Sequence, residues 1–407
     1  MKIDRDGLEL LMHAGGEMFS KTVFEHKNYE PKIIWPEDRT VSDGKELGKE
    51  ELDKLDHLLQ EAARKSLAKA QGKKIGFTLS GGVDSSLLLF LIRKVYPTAD
   101  ITAYHTDWKW APRSELKFAE MAATLANVPL KVIDVSPEAQ IPHIDEALSA
   151  MKTVSYSTVP TYMAFKRMVA DGADVTINAL GLDELFAGYT IHRRMYQRSR
   201  IHFIPKIGSL LGWKYYRGAV LKWGADSVWL YAATMPTYAS QFVLESDVDF
   251  QDIYDNHVLG KDIWTSIHNY ILWAMISNYA TYISRAADAN GVECLYPWMD
   301  HELMDYTLNY GPHEKYNKKP IRFLMREYYK FPDELAARGE NWDKLGWGGT
   351  ALPYFDSKKY MEHIMPSTDV SSDWFTQTGL KEYKNLGSKP SIRGLHMAIF
   401  LKTLELI

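Results

Sequence analysis

The segment Leu79-Ser80-Gly81-Gly82-Val83-Asp84-Ser85-Ser86 packs three hydroxyls, two glycines and one carboxylate into a single short stretch. Two glycines let the backbone turn tightly and bring its N–H groups close to a ligand. The serines add donors, and a helix starting within the Asp84 to Ser86 stretch adds its positive N-terminal end. Such a nest suits a phosphate chain. Asp84 is then out of place unless a cation accompanies the phosphate, because a carboxylate about 4 Å from a phosphate oxygen is repelled by about 4 kcal/mol at a surface-like dielectric. Magnesium turns that repulsion into a bridge, since it takes carboxylate and phosphate oxygens together. The loop therefore predicts ATP and Mg²⁺. A second cluster, Gly181-Leu182-Asp183-Glu184-Leu185-Phe186-Ala187-Gly188-Tyr189, offers a further carboxylate for the metal. Taken alone, an Asp-Glu pair also reads as helix N-terminal charge. No Gly-x-x-x-x-Gly-Lys-Ser/Thr occurs, which disfavours a Walker-type NTPase.

Both clusters follow apolar strands. Ile75 to Leu79, Ile101 to Thr106, Leu130 to Val135 and Val175 to Leu180 read as strands. Helices are expected over Ser85 to Val95, from about Ser114, and from a first turn near Pro160 to about Gly172. Alternation of this kind implies right-handed crossovers and a parallel sheet covered on both faces. Ligands bind such sheets at the carboxyl ends of the strands, where both clusters lie. Upstream, Leu52, Leu55, Leu58, Leu59 and Ala62 mark an amphipathic helix over roughly Glu50 to Gln71. Downstream of Arg200 few strand signals remain, and Ile263, Ile267, Ile271, Ala274 and Met275 lie in a segment apolar nearly all round. The expected organisation is a connector-like segment over 1–70, an α/β core over 71–200 and a mostly helical part over 201–407.

The 407 residues suffice for a large buried core, and 46% hydrophobic with 25% charged content is that of an ordinary globular protein. A net charge of -4 argues against a general nucleic-acid binder. One cysteine, Cys294, leaves no internal disulfide and no Cys-based zinc cluster. The charged opening Met1-Lys2-Ile3-Asp4 lacks the apolar core of a signal peptide, and apolar runs such as Leu87 to Ile92 are too short to span a bilayer. A cytoplasmic chain without membrane contact is expected.

The two clusters resemble the asparagine synthetase family, in its C-terminal synthetase domain. That family carries Ser-Gly-Gly-x-Asp-Ser-Ser and, about a hundred residues later, Gly-Glu-Gly-x-Asp-Glu-Leu-Phe-x-Gly-Tyr. Further on, Glu293-Cys-Leu-Tyr-Pro-Trp-Met-Asp300 is similar to its Glu-x-Arg-x-Pro-Phe-Leu-Asp, Lys318-Lys-Pro-Ile-Arg322 to its Lys-x-x-Leu-Arg, and Phe331-Pro332 to its Leu-Pro. The resemblance runs from about Lys74 to Gly349. It implies an adenine-nucleotide α-hydrolase-like (PP-loop) α/β fold and an ATP-dependent carbon–nitrogen ligase. In this family a substrate carboxylate, from a small molecule or a peptide, is adenylated and then attacked by ammonia or an amine. By carry-over, Leu79, Ser80, Gly81, Gly82, Asp84, Ser85, Ser86 and Gly181 hold the nucleotide, and Asp84 and Asp183 bind Mg²⁺. Glu184, Lys318 and Lys344 join Asp183 as catalytic candidates, Lys344 from the similarity of Lys344-Leu-Gly-Trp-Gly-Gly349 to a charge-neutralising lysine stretch.

Four departures from the pattern matter, and two of them, at Lys2 and Leu180, fall on the amine half of the reaction. Lys2 stands where glutamine-dependent members expose a cysteine, so the chain is not expected to hydrolyse glutamine by that route. Leu180 replaces the family's glutamate. Leu295 replaces an arginine, and Arg338 and Lys344 are further apart than the family spacing. An amide synthetase or cyclase with a changed acceptor is the expectation, with a separate glutaminase subunit and a homo-oligomer left open. Two alternatives stand beside it: a ligase acting on a tRNA base and a nucleotide-binding pseudoenzyme. His301-Glu302 lacks the second histidine of a metalloprotease helix, since Asp305 occupies that place. The basic run Arg193, Arg194, Arg198 and Arg200 reads as a solvated helix face.

Overall fold

The computed structural model describes residues 3–14, 23–24, 47–109, 115–189, 192, 242–248, 271–272, 277–310, 312–340, 352–368, 370–387 and 391–407. The apolar segment from Ile263 to Met275 falls almost wholly outside them, as do Arg193, Arg194, Arg198 and Arg200.

Five parallel strands form one sheet in the order β3-β2-β1-β4-β5. They are β1 (Ile75–Thr78), β2 (Ile101–Asp107), β3 (Leu130–Asp134), β4 (Val175–Ile177) and β5 (Glu293–Leu295). Register runs Ile75 against Ile101 and Val175, and Val175 against Glu293. Four strands were legible from apolar runs. The fifth was not, because it is three residues long with one exposed, too short for any alternation to register. Strand order reverses between β1 and β4, so the crevice at their carboxyl ends is the switch point at which ligands bind such sheets.

The helices that position this crevice are α1 (Arg5–Ala14), α2 (Lys49–Ala68), α3 (Val83–Val95), α4 (Leu116–Leu125), α5 (Pro137–Gln140), α6 (Ile144–Met151), α7 (Thr158–Ala170), α8 (Leu182–Leu185), α9 (Ser277–Ala289), α10 (His301–Leu308), α11 (Lys319–Phe323) and α12 (Ile392–Leu406). One face of the sheet buries Ile75, Phe77, Ile101, Ala103, Val175 and Ile177 under α2, α3 and α4. The other places Tyr104 and Ile133 with residues of α6, α7, α9 and α12. Leucine at Leu87, Leu88, Leu89 and Leu91 makes α3 apolar nearly all round, because it lies between the sheet and both α2 and α4. The stripe Leu52, Leu55, Leu59 and Ala62 on α2 is buried as expected. At the carboxyl end of β5, Pro297–Met299 forms one tight turn that buries Trp298 completely. Asp300 then caps α10 through the N–H groups of Glu302 and Leu303 and pairs with Lys65 at 3.0 Å, tying the turn to α2. Among the described residues, no helix is long and apolar enough to cross a membrane.

On α12, His396 is buried and stacks on Tyr156 with ring centroids 5.8 Å apart and 7° between planes. Burial, with Arg393 adding to it, pushes this imidazole down to about 4. The folded protein therefore keeps His396 neutral where the unfolded chain takes up a proton. Stability is unaffected above the ordinary histidine range and falls as pH drops through it toward 4. At pH 5 this costs about 2 kcal/mol relative to pH 7. Urea unfolding of His396→Phe beside the parent protein should show the pH 5 to 7 difference shrink by that amount. An unchanged difference would refute a buried neutral ring.

Candidate active site

The site is built at the carboxyl end of β1. Leu79 continues the strand, its N–H donating to Tyr104 O at 2.8 Å, while His105 Nδ1 lies 2.9 Å from Leu79 O. Gly81 then takes φ +78°, and a Cβ there would sit 2.6 Å from the backbone nitrogen of Ala119. The loop thus passes against the first turns of α4 with no room for a side chain. Gly82 is extended and opens α3. Ser80 Oγ accepts from the Gly82 N–H at 3.2 Å and lies 3.1 Å from Ser85 Oγ, which fixes the turn. Ser86 Oγ is buried and has no hydrogen-bond partner among the described residues. A buried hydroxyl without a partner costs about 1–3 kcal/mol, so its place beside the helix N-terminus fits an anionic oxygen.

A side-chain clasp holds the neighbouring strand ends together. Asn178 donates its amide to Thr78 Oγ1 at 3.0 Å, accepts from the Leu180 N–H at 3.0 Å, and its backbone N–H donates to Leu295 O at 3.0 Å. One asparagine therefore joins the ends of β1, β4 and β5. Gly181, at φ +126° against Trp298, opens the short helix α8. Leu182, Leu185 and Phe186 sink into the core, which leaves Asp183 facing the crevice edge. Leu180 packs partly buried between the two core clusters.

Asp84 and Asp183 converge on one ammonium. Lys318 Nζ lies 2.6 and 2.8 Å from the two oxygens of Asp84 and 2.5 Å from Asp183 Oδ1. These are short, charge-assisted contacts. Burial acts to lower the Lys318 pKa, but the charges of Asp183 and Asp84 outweigh it and hold the ammonium above the ordinary lysine range. The backbone that delivers it is left-handed at two consecutive residues, Asn317 (φ +53°) and Lys318 (φ +58°), and again at Ala187 (φ +50°). Each such residue costs on the order of 1–3 kcal/mol and persists only where its surroundings fix it. Here the Lys318 and Asn317 N–H groups donate to Phe186 O and Ala187 O at 2.9 and 3.2 Å. Buried Arg322 braces the same turn, donating from Nε to Asn317 O and from Nη1 to Ala336 O and Arg338 O. Gly188 packs against Asp183 Oδ1 and Lys318 Cε so closely that a methyl group would displace both.

Glu184 belongs to a different environment. It is 1% exposed, accepts from Tyr189 Oη at 2.6 Å, and its Oε2 has no hydrogen-bond partner among the described residues. Burial, helped by the charge of Asp183, pushes it up to about 7. Tyr189 in turn stacks on His192, whose ring burial drives down to about 3.

Of the residues singled out from sequence, Ser80, Gly81, Gly82, Ser85 and Ser86 share one loop, and Asp84, Asp183 and Lys318 meet at one point. Glu184 turns to Tyr189, and Lys344 lies outside the described residues. Asn178, Gly188 and the bracing role of Arg322 were not singled out. A polar residue closing an otherwise apolar strand was the available signal for Asn178. Two carboxylates aimed at one point would hold a magnesium ion, a cation that takes oxygen donors and needs few of them from the protein. The donor set fits, with the Lys318 ammonium standing at the same point.

The asparagine synthase family model matches residues 54–340. A Methanocaldococcus jannaschii protein named as a glutamine-hydrolyzing asparagine synthetase is 31% identical over 128 residues, 30% of this chain and 23% of that protein. The match thus spans under a quarter of that relative's length. Among solved structures, the chain is similar to the NH3-dependent NAD synthetase of Campylobacter jejuni at 18% identity, over 34% of this chain and 60% of that one, with a TM-score of 0.26. It is also similar to a tRNA thiolase of Methanococcus maripaludis at 14% identity, over 59% and 81% of the two chains, with a TM-score of 0.24. The expected fold class, an α/β domain built on a parallel sheet, is the one observed.

Proposed function

Because this chain belongs to the asparagine synthase family, we propose that it forms an amide or related carbon–nitrogen bond at the expense of ATP, through an acyl-adenylate. The observation carrying this reading is the meeting of the glycine-serine loop, Asp84, Asp183 and Lys318 at the switch point of the sheet. A substrate carboxylate oxygen attacks the α-phosphorus, and the bond to the bridging oxygen of pyrophosphate breaks. Ammonia or an amine then attacks the acyl carbon, loses a proton, and AMP departs with the carboxylate's former oxygen.

In this reading Leu79, Ser80, Gly81, Gly82, Ser85, Ser86 and Gly181 seat the nucleotide. The buried Ser86 hydroxyl and the N-terminal end of α3 face phosphate oxygens. Magnesium held by Asp84 and Asp183 would supply positive charge to the leaving pyrophosphate. Lys344, and the Lys318 ammonium once it is moved onto the phosphates, add positive charge there, and preorganised charge is usually the largest catalytic contribution. Residues 71–200 form most of the nucleotide core and 1–70 the connector, while 201–407, the helical part, adds β5 and Lys318 to that core, in a cytoplasmic enzyme. Leu180 supports an acceptor other than that of an ordinary asparagine-forming site, because an apolar side chain cannot accept the amine's proton.

Exchange of labelled pyrophosphate into ATP tests the reading. The protein with Mg²⁺ and a pool of small carboxylic and amino acids should catalyse exchange that depends on one member of the pool. Release of ADP and phosphate instead would overturn adenylation. ATP binding without exchange for any acid would favour the pseudoenzyme.

A further inference from the structure

We propose that Lys318 is a tethered occupant of the metal position, closing the Asp84/Asp183 site to free divalent cations and yielding it only to a cation that arrives with a nucleotide. This rests on the reading of Asp84 and Asp183 as magnesium ligands. The ammonium is within hydrogen-bonding distance of both Asp84 oxygens and of Asp183 Oδ1, with 5% of its side chain exposed. A magnesium ion bound by the same carboxylates would need oxygen contacts of about 2.1 Å. It would then share the space between the two carboxylates with Nζ. Two cations do not fit there together.

The arrangement is built into the backbone. Asn317 and Lys318 are both left-handed, their N–H groups are spent on Ala187 and Phe186, and Gly188 presses on both Asp183 and Lys318 Cε. The lysine therefore has a fixed root and a side chain whose end alone can move. A bare dication displacing it strands an ammonium in a nearly buried place. A dication carried on a triphosphate brings oxygens that accept the displaced ammonium, and that acceptance is the differential interaction that shifts the equilibrium. Metal and nucleotide affinities are then coupled, and the coupling is reciprocal.

Mn²⁺ titration followed by electron paramagnetic resonance, with and without a non-hydrolysable ATP analogue, tests this on the whole chain. The parent protein should take up free Mn²⁺ weakly and gain a tight Mn²⁺ with the analogue that Asp84→Asn lacks. Lys318→Met should bind free Mn²⁺ at least about tenfold more tightly than the parent and lose most of the enhancement by the analogue. Lys318→Arg, which keeps the charge, should stay closed to free Mn²⁺. Free-Mn²⁺ affinity in Lys318→Met equal to the parent's would overturn the proposal. So would a parent protein that binds Mn²⁺ equally well with and without the analogue, a comparison needing no variant to fold. If the parent gains no Asp84-dependent Mn²⁺ under any condition, the metal assignment itself fails, and the occupant proposal with it.

Discussion

Replacing Asp84 with alanine is expected to lower pyrophosphate exchange by about 100- to 1000-fold, the scale of losing one preorganised charge contact with a reacting group. The fold should survive, because Asp84 sits in the first turn of α3 and the hydrophobic side chains that anchor that helix are untouched. Lys318 keeps Asp183 as partner, so the stability cost should stay below the 3–5 kcal/mol of a fully stranded buried charge. Asp84→Asn makes the sharper comparison, since it keeps the shape and deletes only the charge. Circular dichroism and thermal melting beside the exchange assay separate the two effects. A folded Asp84→Ala protein exchanging within tenfold of the parent would remove Asp84 from the chemistry.

Gly81→Ala is the second large effect, and it acts on the fold before the chemistry. Two penalties coincide there: φ is +78°, and the new Cβ would meet Ala119 N at 2.6 Å and Phe118 atoms at 2.9 Å. A left-handed alanine costs about 1–2 kcal/mol, and forcing a methyl group into packed backbone adds about 1–3 kcal/mol. Gly72 supplies the control, for it has φ +73° with nothing within 4 Å of its Cβ position. Gly72→Ala should lose about 1 kcal/mol and Gly81→Ala clearly more, by denaturant unfolding. Nucleotide affinity should fall only in the second, as the loop moves off α4. Equal losses in the two variants would mean that the close approach of loop and α4 carries no weight.

What could be read from sequence divides by the range of the interaction. The strand–loop–helix units around Ser80 and Asp183 were legible because periodicity, glycine placement and helix-start chemistry are local. β4 was expected to reach Leu180 but ends at Ile177; Asn178 keeps one backbone bond to Leu295 O and commits its side chain to Thr78 Oγ1 and the Leu180 N–H. The pairing of Lys318 with Asp84 spans 234 positions, and no periodicity reports such a contact. Resemblance placed Lys318 among the catalytic candidates, yet the left-handed turn that aims it has no glycine to announce it. Glu184 shows the reverse case. Its neighbour in sequence faces the crevice, whereas one step along a helical turn sends Glu184 into a buried contact with Tyr189.

The long reach of that bridge bears on how the protein is made. A chain leaving the ribosome presents β1 and β4 with both carboxylates well before Lys318 exists, and the lysine follows on the order of ten seconds later at ordinary synthesis rates. In that interval Asp84 and Asp183 repel each other, and β4 lacks the neighbour that β5 later provides. Closing so wide a loop is entropically slow. The pocket is therefore a late event of folding, completed by residues 293–318 and not by the loop that first marks it in the sequence.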